Sequence, residues 1–360
     1  MEAFDPQFTV STKHWHALED GRAQCDICPR ECKLSDGQRG FCYVRANQAG
    51  KIVLTTWGRS SGFCVDPIEK KPLNHFLPGT PIFSFGTAGC NLGCRFCQNW
   101  DISKSREQHT LTDQAKPATI AEAALETGCR SVAFTYNDPV IFHEYAIDVA
   151  KACHDVGLKT VAVTAGYQNP AARAEFFKYI DAANVDLKGF TDDFYKRVCI
   201  AKLEPVLETL KYLKHETDVW LEITTLLIPT KNDSEDEIKR MCEWVVRELG
   251  PDVPLHFSAF HPDFKMTDLP STPAETLNHA RQIAMAAGVR YAYTGNVHDT
   301  DGDTTRCHSC GEQLIERDWY ELIQYNLSNN DCPKCQTRIP GVFETKPGNW
   351  GRKRLAVRLR

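Results

Sequence analysis

The chain has 360 residues, 42% of them hydrophobic and 25% charged, and its 42 lysines and arginines against 47 aspartates and glutamates leave a formal net charge of -5. This is the composition of an ordinary globular protein with one large domain and appendages, and the slight acidity argues against binding nucleic acid by bulk charge. No apolar run approaches the roughly 20 residues of a membrane span, and the opening MEAFDPQF lacks a basic stretch followed by an apolar one, so no membrane contact and a cytoplasmic location are expected.

Short β-rich runs alternate with amphipathic stretches of helical length. Pro81 to Phe85 predicts a strand, Ala118 to Thr127 a helix and Ser131 to Tyr136 a strand. Helix Ile141 to Val156, strand Lys159 to Thr164, helix Pro170 to Ile180 and strand Ala183 to Leu187 continue the series. Helix Glu204 to His215, strand Val219 to Ile228, helix Glu235 to Leu249, strand Leu255 to Phe260, helix Pro273 to Ala287 and a last strand, Val289 to Tyr293, complete it. Strands separated by helices imply right-handed crossovers and a parallel sheet. Six such units are too few for a closed eight-stranded barrel, and no Gly-rich dinucleotide fingerprint is present. The expected fold is therefore α/β, a partial, open (β/α)6 barrel. Polar residues fall just where such strands end: Asn137 and Asp138, Thr164 and Gly166, Asp186 and Lys188, Thr230 to Asn232, and His261. In parallel barrels that end carries the chemistry.

Sixteen cysteines are the unusual feature, and in a reducing compartment clustered thiols bind metals. Cys90, Cys94 and Cys97 follow the first barrel strand with spacings of three and two, and no fourth thiol is near. An iron–sulfur cube normally takes four cysteines; three leave one iron open to a substrate or cofactor. A three-thiolate zinc site is the alternative, but it would lack a neighbouring histidine or carboxylate. Cys307-x2-Cys310 and Cys332-x2-Cys335 have the spacing of a structural zinc ribbon, with His308 able to replace one thiol. Cys25, Cys28, Cys32 and Cys42 suit either zinc or a second iron–sulfur cluster, and the charged neighbours Asp26, Arg30, Glu31 and Lys33 lean the choice to zinc. Cys64, Cys129, Cys153, Cys199 and Cys242 are scattered and read as small buried apolar residues. The basic tail Gly351 to Arg360 reads as a solvated face.

Cys90-x3-Cys94-x2-Cys97, with Phe96 before the last cysteine, resembles the signature of radical S-adenosylmethionine (SAM) enzymes. Lys71-Pro72-Leu73-Asn74-His75-Phe76 with Gly79, the stretch SFGTAGCNLGCRFCQNW, and Thr135-Tyr136-Asn137-Asp138-Pro139 narrow the likeness. With Asp186-Leu187-Lys188-Gly189-Phe190 and Tyr293-Thr294-Gly295-Asn296-Val297, they resemble the AmmeMemoRadiSam-system radical SAM enzymes, relatives of the pyruvate formate-lyase activating enzymes. The likeness runs from Cys25 to Val297; Ala165 departs from it, standing where asparagine is expected and leaving only its backbone for a role.

The resemblance implies a 4Fe-4S cluster on Cys90, Cys94 and Cys97 whose open iron chelates S-adenosylmethionine, and reductive cleavage to a 5′-deoxyadenosyl radical that abstracts hydrogen from a substrate. It implies that Phe96 packs near the adenine and that Asn137 and Asp138 meet the methionine ammonium. Asp186 and Lys188, two apart on one strand and hence on one face, are expected to contact the ribose and the carboxylate, with Thr164 nearby and His261 reaching the nucleoside. An electron donor of flavodoxin or ferredoxin type is implied, and a protein substrate or a Memo-like partner. Three parts follow: residues 1–75 as a cysteine-rich metal-binding lobe, 76–298 as the barrel, and 299–360 as zinc ribbon and tail. A nucleic-acid-binding protein with zinc knuckles is disfavoured by net charge, and an electron carrier would need a fourth ligand near Cys97.

Overall fold

The computed structural model of the protein describes residues 4–104, 111 and 113–359. Its centre is a nine-stranded sheet. The strands are β1 (Phe63–Pro67), β2 (Pro81–Phe85), β3 (Ser131–Phe134), β4 (Lys159–Thr164), β5 (Ala182–Asp186), β6 (Trp220–Leu227), β7 (Leu255–Ala259), β8 (Ala292–Gly295) and β9 (Leu355–Val357). Their spatial order is β8-β7-β6-β5-β4-β3-β2-β1-β9. Strands β2 to β8 are parallel to their neighbours, and β1 and β9 are added antiparallel at one edge. The fold is thus α/β around a parallel-rich sheet, with helices α1 (Pro117–Glu126), α2 (His143–Asp155), α3 (Pro170–Phe177), α4 (Glu204–Glu216), α5 (Glu235–Leu249) and α6 (Ala274–Ala286) in the crossovers.

The local chemistry explains these elements. All of Ser131–Phe134 and Leu255–Ala259 is buried, as expected of strands covered on both faces. Proline opens α1 and α3, where its missing N–H is not needed. Ser234 caps α5 by accepting from the Glu237 amide, and Gly250 ends it at φ +84°. Several boundaries differ from the sequence expectation: the strand from Ser131 ends at Phe134, the helix from Pro170 ends at Phe177, and two further elements start late. Residues 139–142 form a tight 3-10 turn before α2, because the Asp138 carboxylate accepts from the Val140 amide and starts the turn early. The last parallel strand begins at Ala292, since the Leu255 amide already bonds the Tyr291 carbonyl on entry.

Two segments join the sheet from outside the expected barrel. Phe63–Pro67, within the stretch read as the N-terminal lobe, pairs with Pro81–Phe85. Leu355–Val357 pairs with Val65, Cys64 and Phe63, so part of the basic tail is a strand and not merely a solvated face; Arg360 lies outside the described residues. The N-terminal region, with short antiparallel strands of its own, packs on α2 and α3. Arg45 Nε donates to the Ile141 carbonyl at 2.9 Å, the Asn169 amide to the Ile27 carbonyl at 3.0 Å, and Trp57 Nε1 to Asp148 at 3.0 Å. No helix among the described residues is long and apolar enough to cross a membrane.

Candidate active site

A cavity of about 740 Å³ opens at the C-terminal ends of the parallel strands. Cys90, Cys94 and Cys97 line it from the loop after β2, and Asn137 and Asp138 from the loop after β3. Thr164 and Ala165 at the end of β4, Asp186 and Lys188 at the end of β5, Ser258 of β7 and Asn296 after β8 complete the ring. Of the residues expected to hold the cluster and S-adenosylmethionine, all but His261 therefore meet in one place.

The cysteine loop is held from several sides. The Gly93 amide donates to the Cys199 carbonyl at 2.8 Å and the Arg95 amide to the Val198 carbonyl at 3.0 Å. A Cβ on Gly93 would come within 2.7 Å of Ile200, so only glycine lets the two backbones approach. Lys104 Nζ donates to the Leu92 carbonyl at 2.8 Å, and Asn99 Nδ2 to the Tyr136 carbonyl at 2.8 Å. The three thiols differ in acidity. A hydrogen bond from Cys199 lowers Cys94 from its ordinary value against the effect of burial, helped by the Lys188 and Lys104 cations. Burial pushes Cys90 up to about 12 and also raises Cys97.

The polar ring divides between groups spent on the fold and groups facing the cavity. Asn137 donates to the Thr87 and Gly89 carbonyls, both at 2.8 Å, and accepts from the Thr87 amide at 3.1 Å, so its amide clamps the strand that leads to Cys90. Asp138 accepts from the Thr164 hydroxyl at 2.9 Å and the Ala165 amide at 2.9 Å. Burial still pushes its carboxyl up despite these bonds. The Ala165 backbone thus serves although its side chain cannot. Lys188 Nζ pairs with Asp186 at 2.8 Å and lies 5.8 Å from the Phe96 ring centre. Burial alone would lower Lys188, but Asp186 and Cys94 beside it push it well above its ordinary value. Asn232 lies away from the cavity wall, where its Nδ2 bonds the Lys188 and Leu226 carbonyls and fixes the β5 loop.

His261 is the exception among the expected contacts. It is exposed and does not line the cavity, because the chain turns outward after Phe260, whose amide is tied back to Thr272 Oγ1 at 3.1 Å. Ser258 and Asn296 occupy that side of the ring instead. Sequence reasoning also missed a group on the opposite wall. Cys64, read as an apolar filler, lines the cavity and bonds the Tyr136 hydroxyl, which donates to Asp66 at 2.7 Å. Lys71 bonds the same carboxylate at 2.7 Å. Cys199 likewise proves to be a partner of Cys94. The missed signals were period-two spacing of Cys64 and Asp66 on β1, and the TYN word itself.

Eight further cysteines form two groups, while Cys129, Cys153 and Cys242 are buried singly. Cys307, Cys310, Cys332 and Cys335 bring their sulfurs within 4.8 Å of one another, with Cys307 and Cys335 at 3.5 Å and Cys310 and Cys332 at 3.7 Å. The two knuckles are built alike, the Gly311 amide bonding the Cys307 carbonyl and the Gln336 amide the Cys332 carbonyl, each at 2.9 Å. His308 turns away and bonds the Tyr291 hydroxyl at 2.7 Å. Cys25, Cys28, Cys32 and Cys42 surround a second, small cavity.

Comparison with known proteins agrees with this geometry. The model of the radical SAM superfamily matches residues 85–245. An uncharacterised protein of Methanocaldococcus jannaschii is 40% identical over 333 residues, covering 91% of this chain and 98% of its own. The 4-hydroxyphenylacetate decarboxylase activating enzyme of Clostridium scatologenes is 23% identical over 61% of this chain and 70% of its own. The pyruvate formate-lyase-activating enzyme of Clostridium pasteurianum is 27% identical over 42% of this chain and 64% of its own. With its cysteine loop at the mouth of a parallel sheet, this chain belongs to the radical SAM superfamily, as an enzyme related to the pyruvate formate-lyase activating enzymes.

Proposed function

We propose that the protein is a partial (β/α)6-barrel radical SAM enzyme that cleaves S-adenosylmethionine reductively and abstracts hydrogen from a substrate held in the large cavity. The observation that carries this reading is the convergence of Cys90, Cys94 and Cys97 with Asp138, Thr164, Asp186 and Lys188 on one cavity at the strand ends. The donor set fits a cluster better than a single ion. Thiolates on one zinc ion lie ~3.8 Å apart, whereas no three of these sulfurs fall within 4.8 Å of one another among the described residues. Cys90, Cys94 and Cys97 would hold the 4Fe-4S cluster, and the cationic Lys104 and Lys188 near Cys94 suit its negative charge.

When bound, the cluster and S-adenosylmethionine supply one-electron cleavage of a sulfonium and a carbon radical able to take hydrogen from an unactivated C–H bond. The protein's own share is binding and exclusion. Lys188, held cationic by Asp186, offers a donor to a carboxylate, and Asp186 keeps a second oxygen for a hydroxyl. The buried Phe96 ring lies beneath the Lys188 ammonium and limits water there. Asp138 and Thr164 keep the β4 end rigid, with the strained Tyr136 (φ +69°) fixing the turn before Asp138.

The C-terminal four-cysteine group fits a single tetrahedral zinc ion, since its sulfur spacings match those of one ion. The substrate is read as a target modified together with Memo-like partner proteins, and the electron donor as a flavodoxin or ferredoxin. A second reading is favoured by the named relatives: hydrogen abstraction from a glycine of a partner enzyme. Electron paramagnetic resonance of the reduced enzyme mixed with candidate partners separates the two by the presence or absence of a glycyl radical. For the core assignment, Cys94→Ala is expected to lose about four irons per chain and all production of 5′-deoxyadenosine. Cleavage at the wild-type rate in the purified variant would refute it.

A further inference from the structure

The N-terminal cysteines carry a conclusion that their spacing could not. Cys25, Cys28, Cys32 and Cys42 all line one small cavity, together with Ile27, Val140 and Ile141. Its wall is almost wholly apolar, and Cys25 and Cys42 are buried. The charged neighbours that leaned the sequence reading to zinc are largely spent elsewhere. Asp26 bonds His16 at 2.7 Å and Gln24 at 3.0 Å, and Arg30 stacks on Phe41 and donates to the Asn91 carbonyl at 2.5 Å. Arg30 and Glu31 nonetheless border the cavity, as does Arg45. Arg45 is 2% exposed, and its Nη2 pairs with Glu144 at 2.6 Å while its Nη1 has no hydrogen-bond partner.

Sulfur spacing distinguishes the two metals. The C-terminal four-cysteine group of this same chain draws its sulfurs within 4.8 Å, as one ion requires. Among the described residues, no three of the N-terminal sulfurs come that close, although all four border one cavity. The four sulfurs border one cavity without the close spacing of a single-ion site, beside the buried Arg45–Glu144 pair. That is the environment of a negatively charged iron–sulfur cluster.

The site also touches the catalytic loop. Gly89, immediately before Cys90, packs against the Cys42 carbonyl so closely that a Cβ there would lie 2.0 Å from its oxygen. Asn91, immediately after Cys90, lines the N-terminal cavity and receives the Arg30 hydrogen bond. The two cysteine sets are therefore linked on both sides of Cys90, by the Gly89 backbone against Cys42 and by the Arg30 side chain on the Asn91 carbonyl.

We propose that Cys25, Cys28, Cys32 and Cys42 hold a second iron–sulfur cluster, which passes single electrons from a low-potential protein donor to the Cys90, Cys94 and Cys97 site. One electron enters this centre from the donor, oxidising the donor by one electron, and leaves it for the catalytic site; no bond is made or broken and the centre returns to its starting state. Only this second, electron-passing part rests on the function proposed above.

The test counts iron, acid-labile sulfide and zinc on the full chain after anaerobic reconstitution. Wild type is expected to hold about eight irons and eight sulfides, and Cys90→Ala/Cys94→Ala/Cys97→Ala about four of each. A triple variant without sulfide, whether it carries zinc or a lone iron, overturns the cluster. If instead it keeps about four sulfides while wild type makes no 5′-deoxyadenosine, the cluster stands and the proposed function fails. For the relay, Cys28→Ser/Cys32→Ser is expected to cleave S-adenosylmethionine at least ~10-fold more slowly with reduced ferredoxin, relative to its rate with dithionite. An unchanged ratio of the two rates overturns the relay.

Discussion

At the scale of single residues, Gly89 shows how the cysteine loop depends on its neighbours. It has φ +85° and abuts the Cys42 carbonyl, whereas Gly21, at φ +83°, has nothing within 4 Å of its would-be Cβ. Gly21→Ala should therefore cost only ~1 kcal/mol of backbone strain. Gly89→Ala adds a backbone clash and should cost ~4 kcal/mol or more. Denaturant midpoints of the two variants, measured side by side, check the difference; equal losses would show that the contact with Cys42 is unimportant. A second residue-scale effect concerns pH. Burial pushes the Glu69 carboxyl from 4.5 up to about 7, in spite of Arg317 nearby. The folded chain keeps a proton there that the unfolded chain releases from about 4.5 upward, so stability falls as pH rises through that window and levels off above about 7. Glu69→Gln should flatten this slope, while Asp303, also pushed up to about 7 by burial, retains part of it. Parallel slopes for variant and wild type between pH 4.5 and 7.5 would contradict this assignment.

Among the elements, the edge strand β9 had no counterpart in the sequence reading. Its Ala356 lies opposite Cys64 and lines the cavity with Arg354. Deleting residues 352–360 should uncover Cys64, which is 3% exposed, and speed its alkylation at least ~10-fold. Mass spectrometry after brief iodoacetamide treatment reads this directly; an unchanged rate would mean that β9 does not shield that wall. The crossovers, by contrast, were legible because each announced itself locally. Proline at the first turn of α1 and α3 and Ser234 before α5 mark starts that the structure keeps within a residue or two. A three-residue strand such as Leu355–Val357 has too short a pattern to stand out, and its pairing depends on β1 being an open edge.

For the molecule as a whole, the C-terminal cysteine group and the central sheet share contacts. His75 Nδ1 donates to the Pro340 carbonyl (2.7 Å), its Nε2 accepts from the Tyr293 hydroxyl (2.6 Å), and the buried Arg317 donates to the Asn74 carbonyl at 2.7 Å. Under the proposed zinc assignment, a chelator or Cys335→Ser should loosen residues 307–343 and make them sensitive to protease while the sheet stays intact. Limited proteolysis that cuts the sheet first, or cuts nothing, would count against a locally structural ion. The large cavity likewise belongs to the whole, since it draws on the ends of strands from β1 to β9.

The sequence by itself determined the alternation of strands and helices and the grouping of clustered cysteines into three sets, because helix starts, apolar runs and thiol spacings act over a few residues. It also located Cys90, Cys94, Cys97, Asp138, Asp186 and Lys188 at strand ends, since a parallel sheet puts all those ends on one side. Only the tertiary structure decided which polar groups are spent on the fold, as with Asn137, and which face the cavity, as with Lys188. It alone turned His261 outward and brought Cys64 and Cys199 in, and it set how far apart each group of sulfurs stands. Those outcomes arise from packing between segments tens to hundreds of residues apart, a distance over which no local pattern carries information.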